Sequence, residues 1–223
     1  MGQSMGELPS YRSEMLPAFA IVSMDLFGPM EVKDDVVKRG PKRIKKVWGV
    51  LYTCVSTRAV HLDVAIDYST KSVLHTLRRV MAVRGDIRKV ISDPGTQLVG
   101  ASREIIEWRK GWDEDELVRF GSSRSLEWVF VMTNSQHQNG LSESMIKQVK
   151  GVIKSLLRAV GDTKLTLNET FTLLAEVANL VNERPIGTPP SEHSGTDFLS
   201  PNSLLLGRSS ARISAGPKHY RNA

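Results

Sequence analysis

Val47-Trp-Gly-Val-Leu-Tyr-Thr-Cys-Val-Ser-Thr-Arg-Ala-Val-His-Leu-Asp-Val-Ala-Ile66 is the stretch that sets the architecture. A continuous apolar run over 47–55 is followed by strict alternation over 59–66. There Val60, Leu62, Val64 and Ile66 share one face, while His61, Asp63 and Ala65 share the other. Both runs predict strands. Only Ser56-Thr57 separates them, which predicts a hairpin. Upstream, residues 20–26 read as a third strand, closed by a Gly28-Pro29 turn and followed by a basic loop. Three sequential strands with short links make an antiparallel start to a sheet.

Downstream the period changes. Val73, Leu74, Leu77, Val80 and Met81 recur at helical spacing after a Ser69-Thr70 cap, and Gly85 ends the segment. A helix of crossover length places the next short strand, 89–92, parallel to a neighbour. A weaker helix is expected at 102–110, a strand at 126–132 and a polar loop at 133–139. The clearest helix is 140–160, whose apolar stripe runs through Leu141, Met145, Val149, Val152, Leu156 and Val160. A second long helix starts at the capping box Thr166-Leu-Asn-Glu169, turns Phe171, Leu174, Ala178 and Val181 inward, and stops before Pro185. Beyond Ile186, Pro, Ser and Gly dominate and periodicity is lost except over 203–206. The expectation is an α/β protein with a mixed five-stranded sheet, three antiparallel strands then parallel ones, flanked by helices. Residues 1–17 form a linker, 18–184 the core and 185–223 an irregular extension.

With 30 Lys and Arg against 24 Asp and Glu, the chain carries a net charge of +6, a balance that favours a polyanionic partner. No apolar run approaches the roughly 18–20 residues of a membrane span, so no membrane partner is expected. A single cysteine, Cys54, excludes an intrachain disulfide framework and a cysteine-rich zinc cage. It reads as a buried thiol in a reducing compartment. The five histidines are dispersed, with no pair at helical ligand spacing.

Three acids stand in three different settings. Asp25 lies inside the first strand, Asp93 ends the fourth, and Glu143 begins the long helix. On that helix Glu143, Lys147, Lys150, Lys154 and Arg158 fall within a sector of about 80° at 100° per residue, away from the centre of the apolar stripe. A carboxylate at one end and a line of cations behind it suit a phosphodiester chain. An amphipathic helix with an ordinary solvated face gives the same pattern. His137, Gln138 and Asn139, in the polar segment before Glu143, are further candidates for DNA contact.

Several segments resemble the integrase core of LTR retrotransposons, closest to the BEL/Pao type. They are Met24-Asp-Leu-Phe-Gly-Pro29, the run from Trp48 to Leu62, Leu77-Arg-Arg-Val-Met-Ala-Val-Arg-Gly85, Ile91-Ser-Asp-Pro-Gly-Thr-Gln97 and Asn182-Glu-Arg-Pro-Ile186. The resemblance extends from about Leu8 to Gly207. It implies an RNase H-like fold, with Asp25, Asp93 and Glu143 as a catalytic triad holding two Mg²⁺ or Mn²⁺ ions. It further implies 3′-end processing and strand transfer on DNA, with element ends and target DNA as partners. A homodimer or higher oligomer acting in the nucleus goes with that activity. Hard carboxylate oxygens suit those ions, and a pair of ions can neutralise both the attacking and the leaving oxygen of a phosphodiester. Two other readings stay open on the residues alone: a non-catalytic core that binds nucleic acid or protein, and a nuclease of the RNase H type.

Overall fold

The computed structural model describes residues 16–33, 44–67, 69–92, 115, 119, 126–130, 136–160, 164–187 and 198–208, with the backbone alone at 136–143 and 159–160. Its elements in chain order are β1 (Ile21–Lys33), β2 (Ile44–Cys54), β3 (Val60–Ala65), α1 (Thr70–Arg84), β4 (Lys89–Ser92), β5 (Glu127–Phe130), α2 (Gln136–Val160), α3 (Leu167–Asn182) and α4 (Pro201–Leu206). They build a five-stranded sheet of order β3-β2-β1-β4-β5. The first three strands pair antiparallel, and β4 and β5 add in parallel. This is the mixed sheet that the sequence predicts.

The sheet divides the apolar side chains into two cores. On one face Val22, Met24 and Leu26 of β1 and Val50 and Tyr52 of β2 pack with Val73, Leu77 and Val80 of α1. On the other, Phe27, Leu51 and Leu62 meet Met145, Val149 and Ile153 of α2 and Leu174, Val177 and Val181 of α3. Strand β2 is buried from Val47 to Cys54, which explains its unbroken apolar run. Gly49 belongs in that run because a Cβ there would lie 2.1 Å from the ring of Phe27.

Several boundaries differ from the sequence reading, each for a physical reason. Gly28-Pro29 does not turn the chain. The register passes from Phe27↔Gly49 to Met30↔Val47, so a bulge absorbs one extra residue and β1 continues to Lys33. Proline, with no N–H to give the ladder, is accommodated at such a bulge. Gly28, at φ 123°, occupies a conformation that side chains disfavour. The β2–β3 connection spans 55–59 and not two residues. It is closed by Cys54 N–H to Ala59 O and by Arg58 N–H to Cys54 O, with Arg58 left-handed at φ 57°. The Cys54 sulfur accepts from the Phe19 and Thr57 amides, so the buried thiol organises this corner.

Helix α2 starts at Gln136, inside the segment 133–139 expected to be a loop. Residues 136–139 are all polar, so this first turn carries no apolar period. Burial on α2 centres on Met145, Val149 and Ile153, with Val152 and Leu156 only partly covered. The α3 capping box is present in both directions, Glu169 N–H to Thr166 Oγ1 and Thr166 N–H to Glu169 Oε2. Phe171 is partly buried, and Val177 takes a core position. The helix expected at 102–110 lies outside the described residues. Within 185–223, Gly187 bridges to Leu199, α4 follows, and the Asn202 side-chain amide donates to Asn179 Oδ1 and Glu183 Oε1 of the segment ending α3.

The Asn182-Glu-Arg-Pro-Ile186 segment has a structural task. Strand β3 is the sheet edge, and Asn182 closes it as a neighbouring strand would: Val60 N–H donates to its Oδ1 at 2.7 Å, and its amide donates to Val60 O at 2.9 Å. Arg184 then donates to the carbonyls of Val181 and Arg58, tying the end of α3 to the β2–β3 corner. Asn182→Ala strands two buried backbone groups of Val60 and is expected to cost about 2 kcal/mol in urea unfolding. A loss below about 0.5 kcal/mol would show that the edge closes without it.

His61, on the same strand, sits across from Tyr52. Burial pushes its pKa down from 6.5 to about 4, with Arg84 and Arg79 also opposing the imidazolium and Asp63 favouring it. The folded state therefore holds this imidazole neutral where the unfolded chain protonates it. The contribution is present above the unfolded pKa and is lost as pH falls from 6.5 toward 4. Stability is expected to drop by about 2 kcal/mol between pH 7 and pH 5 from this group. His61→Gln should remove that share of the slope in unfolding at the two pH values.

Candidate active site

Alternation along β1 separates structural from chemical positions. Val22, Met24 and Leu26 face α1 and are buried, whereas Ser23 and Asp25 share the opposite face with Phe27, which packs against α2 and α3. Asp25 is half-buried, lies across from Leu51, and its Oδ1 accepts the Leu26 N–H at 2.7 Å. An acid is thus held on the central strand of the sheet, beneath a helix and still reached by solvent.

Beside it runs β4, parallel to β1 in the register Val22↔Val90, Ser23↔Ile91 and Met24↔Ser92. The last residue, Ser92, is buried and accepts the Trp128 Nε1–H from β5 at 3.0 Å. The C-terminal end of β4 is therefore fixed next to Met24, the residue before Asp25. Functional groups gather at such strand ends in α/β sheets. Asp93, the next residue, lies outside the described residues.

Glu143 lies in α2, with its backbone helical and its side chain outside the description; the same holds for His137, Gln138 and Asn139. Two residues after Glu143, Met145 is buried against the face that carries Asp25. Lys147, Lys150, Lys154 and Arg158 are all exposed. The structure thus sets the end of β4 beside β1 and packs helix α2 over the face of β1 that carries Asp25. Among the described residues it gathers no group of three His, Cys, Asp or Glu side chains. The donors proposed from the sequence are all carboxylates, the oxygen chemistry that Mg²⁺ and Mn²⁺ prefer.

Sequence reasoning missed the ground beside this face. Lys150, Lys154 and Arg158 line a groove whose other walls are the β1 bulge from Phe27 to Glu31 and the start of α3. Lys164 joins them from the α2–α3 connection and pairs with Glu31 at 2.5 Å. That hydrogen bond and the Lys164 charge hold the Glu31 carboxyl below the usual range, with Lys46 adding to it. The signal was hidden because Gly28-Pro29 read as a turn, which sends Met30 and Glu31 away from the sheet.

No protein-family model and no curated protein sequence matches the chain. Solved structures do. One is the HTLV-2 integrase catalytic core domain in complex with magnesium, in a dimeric form, with TM-score 0.51, 11% identity, and coverage of 86% of this chain and 99% of that one. The fold is that of a retroviral integrase catalytic core. A chain of the simian T-cell lymphotropic virus intasome, solved by cryo-electron microscopy with PP2A regulatory subunit B56 gamma, aligns at TM-score 0.52 and 12% identity. That match covers 86% of this chain and spans 55% of the intasome chain's length. In this chain β1 is the central strand and α2 packs over it, and Asp25 lies on the one and Glu143 on the other.

Proposed function

We propose that this chain is the catalytic core of an LTR-retrotransposon integrase of the BEL/Pao type, acting on DNA phosphodiesters in 3′-end processing and strand transfer. The observation that carries the reading is the half-buried carboxylate of Asp25 on the central strand, beside the end of β4 and on the face covered by α2. Asp93 is bonded to Ser92, whose strand partner precedes Asp25. Glu143 comes from the covering helix.

In this reading Asp25, Asp93 and Glu143 would hold two Mg²⁺ or Mn²⁺ ions, whose charge would offset the negative charge at the scissile phosphodiester. Lys147, Lys150 and Lys154 neutralise and position neighbouring phosphates, and His137, Gln138 and Asn139 approach the DNA ahead of Glu143. Element ends and target DNA are the substrates, the nucleus is the place of action, and two or more copies assemble on the DNA. The test is a terminal-repeat oligonucleotide incubated with the protein and Mn²⁺, beside a calorimetric titration of the metal. Saturable Mn²⁺ binding with nicking or joining of the strand supports the proposal. DNA binding with no saturable Mn²⁺ binding would instead identify a non-catalytic core.

A further inference from the structure

The groove beside the candidate site is lined by two kinds of side chain. Along α2, Lys150, Lys154 and Arg158 stand four residues apart, so each step advances about 6 Å along the helix. None of the three has an ion-pair partner among the described residues, and Lys164 already covers the one acid of the groove, Glu31. Apart from the Lys164–Glu31 pair and Thr170, the rest of the lining is apolar, with Met30 from β1, Leu173 from α3, and Ile153 and Leu157 from α2 itself. The groove is open to solvent and has a volume of about 760 Å³.

A duplex presents its phosphates outward and keeps its bases stacked, so it would meet the cations and leave the apolar side chains uncovered. A single strand offers both chemistries at once. Its phosphates can follow the helical row, as single strands track cationic grooves, and an unstacked base can bury apolar surface against the aliphatic side chains. The groove begins at Phe27, on the Asp25 face of β1 and two residues further along, a separation of about 7 Å.

We infer that this groove takes a single-stranded DNA segment, with phosphates on Lys150, Lys154 and Arg158 and one unpaired base against Met30, Leu157 and Leu173. The inference rests on the proposed polynucleotidyl function, since it supplies a place for a strand leaving the carboxylates. Its own test needs no catalysis.

The full chain, kept in EDTA, is titrated with a fluorescent twelve-nucleotide thymidine strand, with the same strand made abasic, and with the corresponding duplex. Burial of about 50 Å² of one base's apolar surface should make the thymidine strand bind about five- to tenfold tighter than the abasic one. Leu157→Ser, at a position 38% exposed and therefore tolerant of change, should bring the two within twofold. Lys154→Gln should weaken both equally and reduce the salt slope by about 0.7. Equal binding of the thymidine and abasic strands to the unmodified protein overturns the inference, as does a base preference that survives Leu157→Ser or a preference for duplex. Failure of the catalytic reading is told apart by Asp25→Asn. Where joining by the unmodified protein is absent but the base preference persists in both proteins, the groove stands and the chemistry falls.

Discussion

Asp25→Asn is expected to lower Mn²⁺-dependent nicking and joining of a terminal-repeat oligonucleotide at least a thousandfold, with unfolding stability changed by less than about 1 kcal/mol. A thousandfold corresponds to about 4 kcal/mol of lost transition-state stabilisation. That is the scale on which removing a charge-stabilising group from an active site is felt. Asparagine keeps the shape of the side chain and an oxygen that can accept the Leu26 N–H, so the local hydrogen bond at 2.7 Å has a replacement. The substitution removes the negative charge, and with it the affinity for a hard divalent ion. Calorimetry should show Mn²⁺ binding weakened in parallel with activity, while binding of single-stranded DNA in EDTA stays unchanged. Joining at the unmodified rate by Asp25→Asn protein would remove Asp25 from the proposed chemistry. Retained Mn²⁺ affinity with lost joining would move the metal to other ligands.

The placement of Asp25 was legible because alternation along a strand is a local property. Met24 and Leu26 bracket the acid with apolar residues, and the structure buries both on the opposite face. The hairpin, the crossover helix α1 and the α3 capping box were legible for the same reason, since each rests on spacing or on side-chain to backbone bonds within a few residues. What escaped depends on contacts between distant segments. The continuation of β1 past Gly28-Pro29 is set by Met30 pairing with Val47, and no residue near Pro29 announces that partner. The polar start of α2 carries no apolar period to read. Asn182 closing the edge at Val60 joins residues 122 positions apart. The groove was invisible in sequence because its walls come from β1, α2 and α3 together.

A pair 16 positions apart, between β3 and α1, carries the largest expected stability effect. Asp63 on β3 is an acid on a buried face, its side chain 6% exposed, and it holds Arg79 of α1 through two hydrogen bonds of 2.8 and 2.9 Å. Arg79 donates as well to Val64 O, and its guanidinium lies 5.8 Å from the ring centre of Phe171 on α3. One side chain therefore fastens the edge strand to a helix on each side of it. With Arg79→Met, the methylene stem can still cover apolar surface, but Asp63 keeps only the Val64 N–H as a donor among these bonds. An uncompensated buried carboxylate costs more than the ion pair itself contributes, and a loss of about 3 kcal/mol is expected in urea unfolding. The double substitution Asp63→Asn with Arg79→Met should recover part of that loss, because the stranded charge is gone while the side chain still accepts the Val64 N–H. If the double variant is as unstable as the sum of the two singles, the guanidinium acts through Val64 O and Phe171, and not through neutralising Asp63.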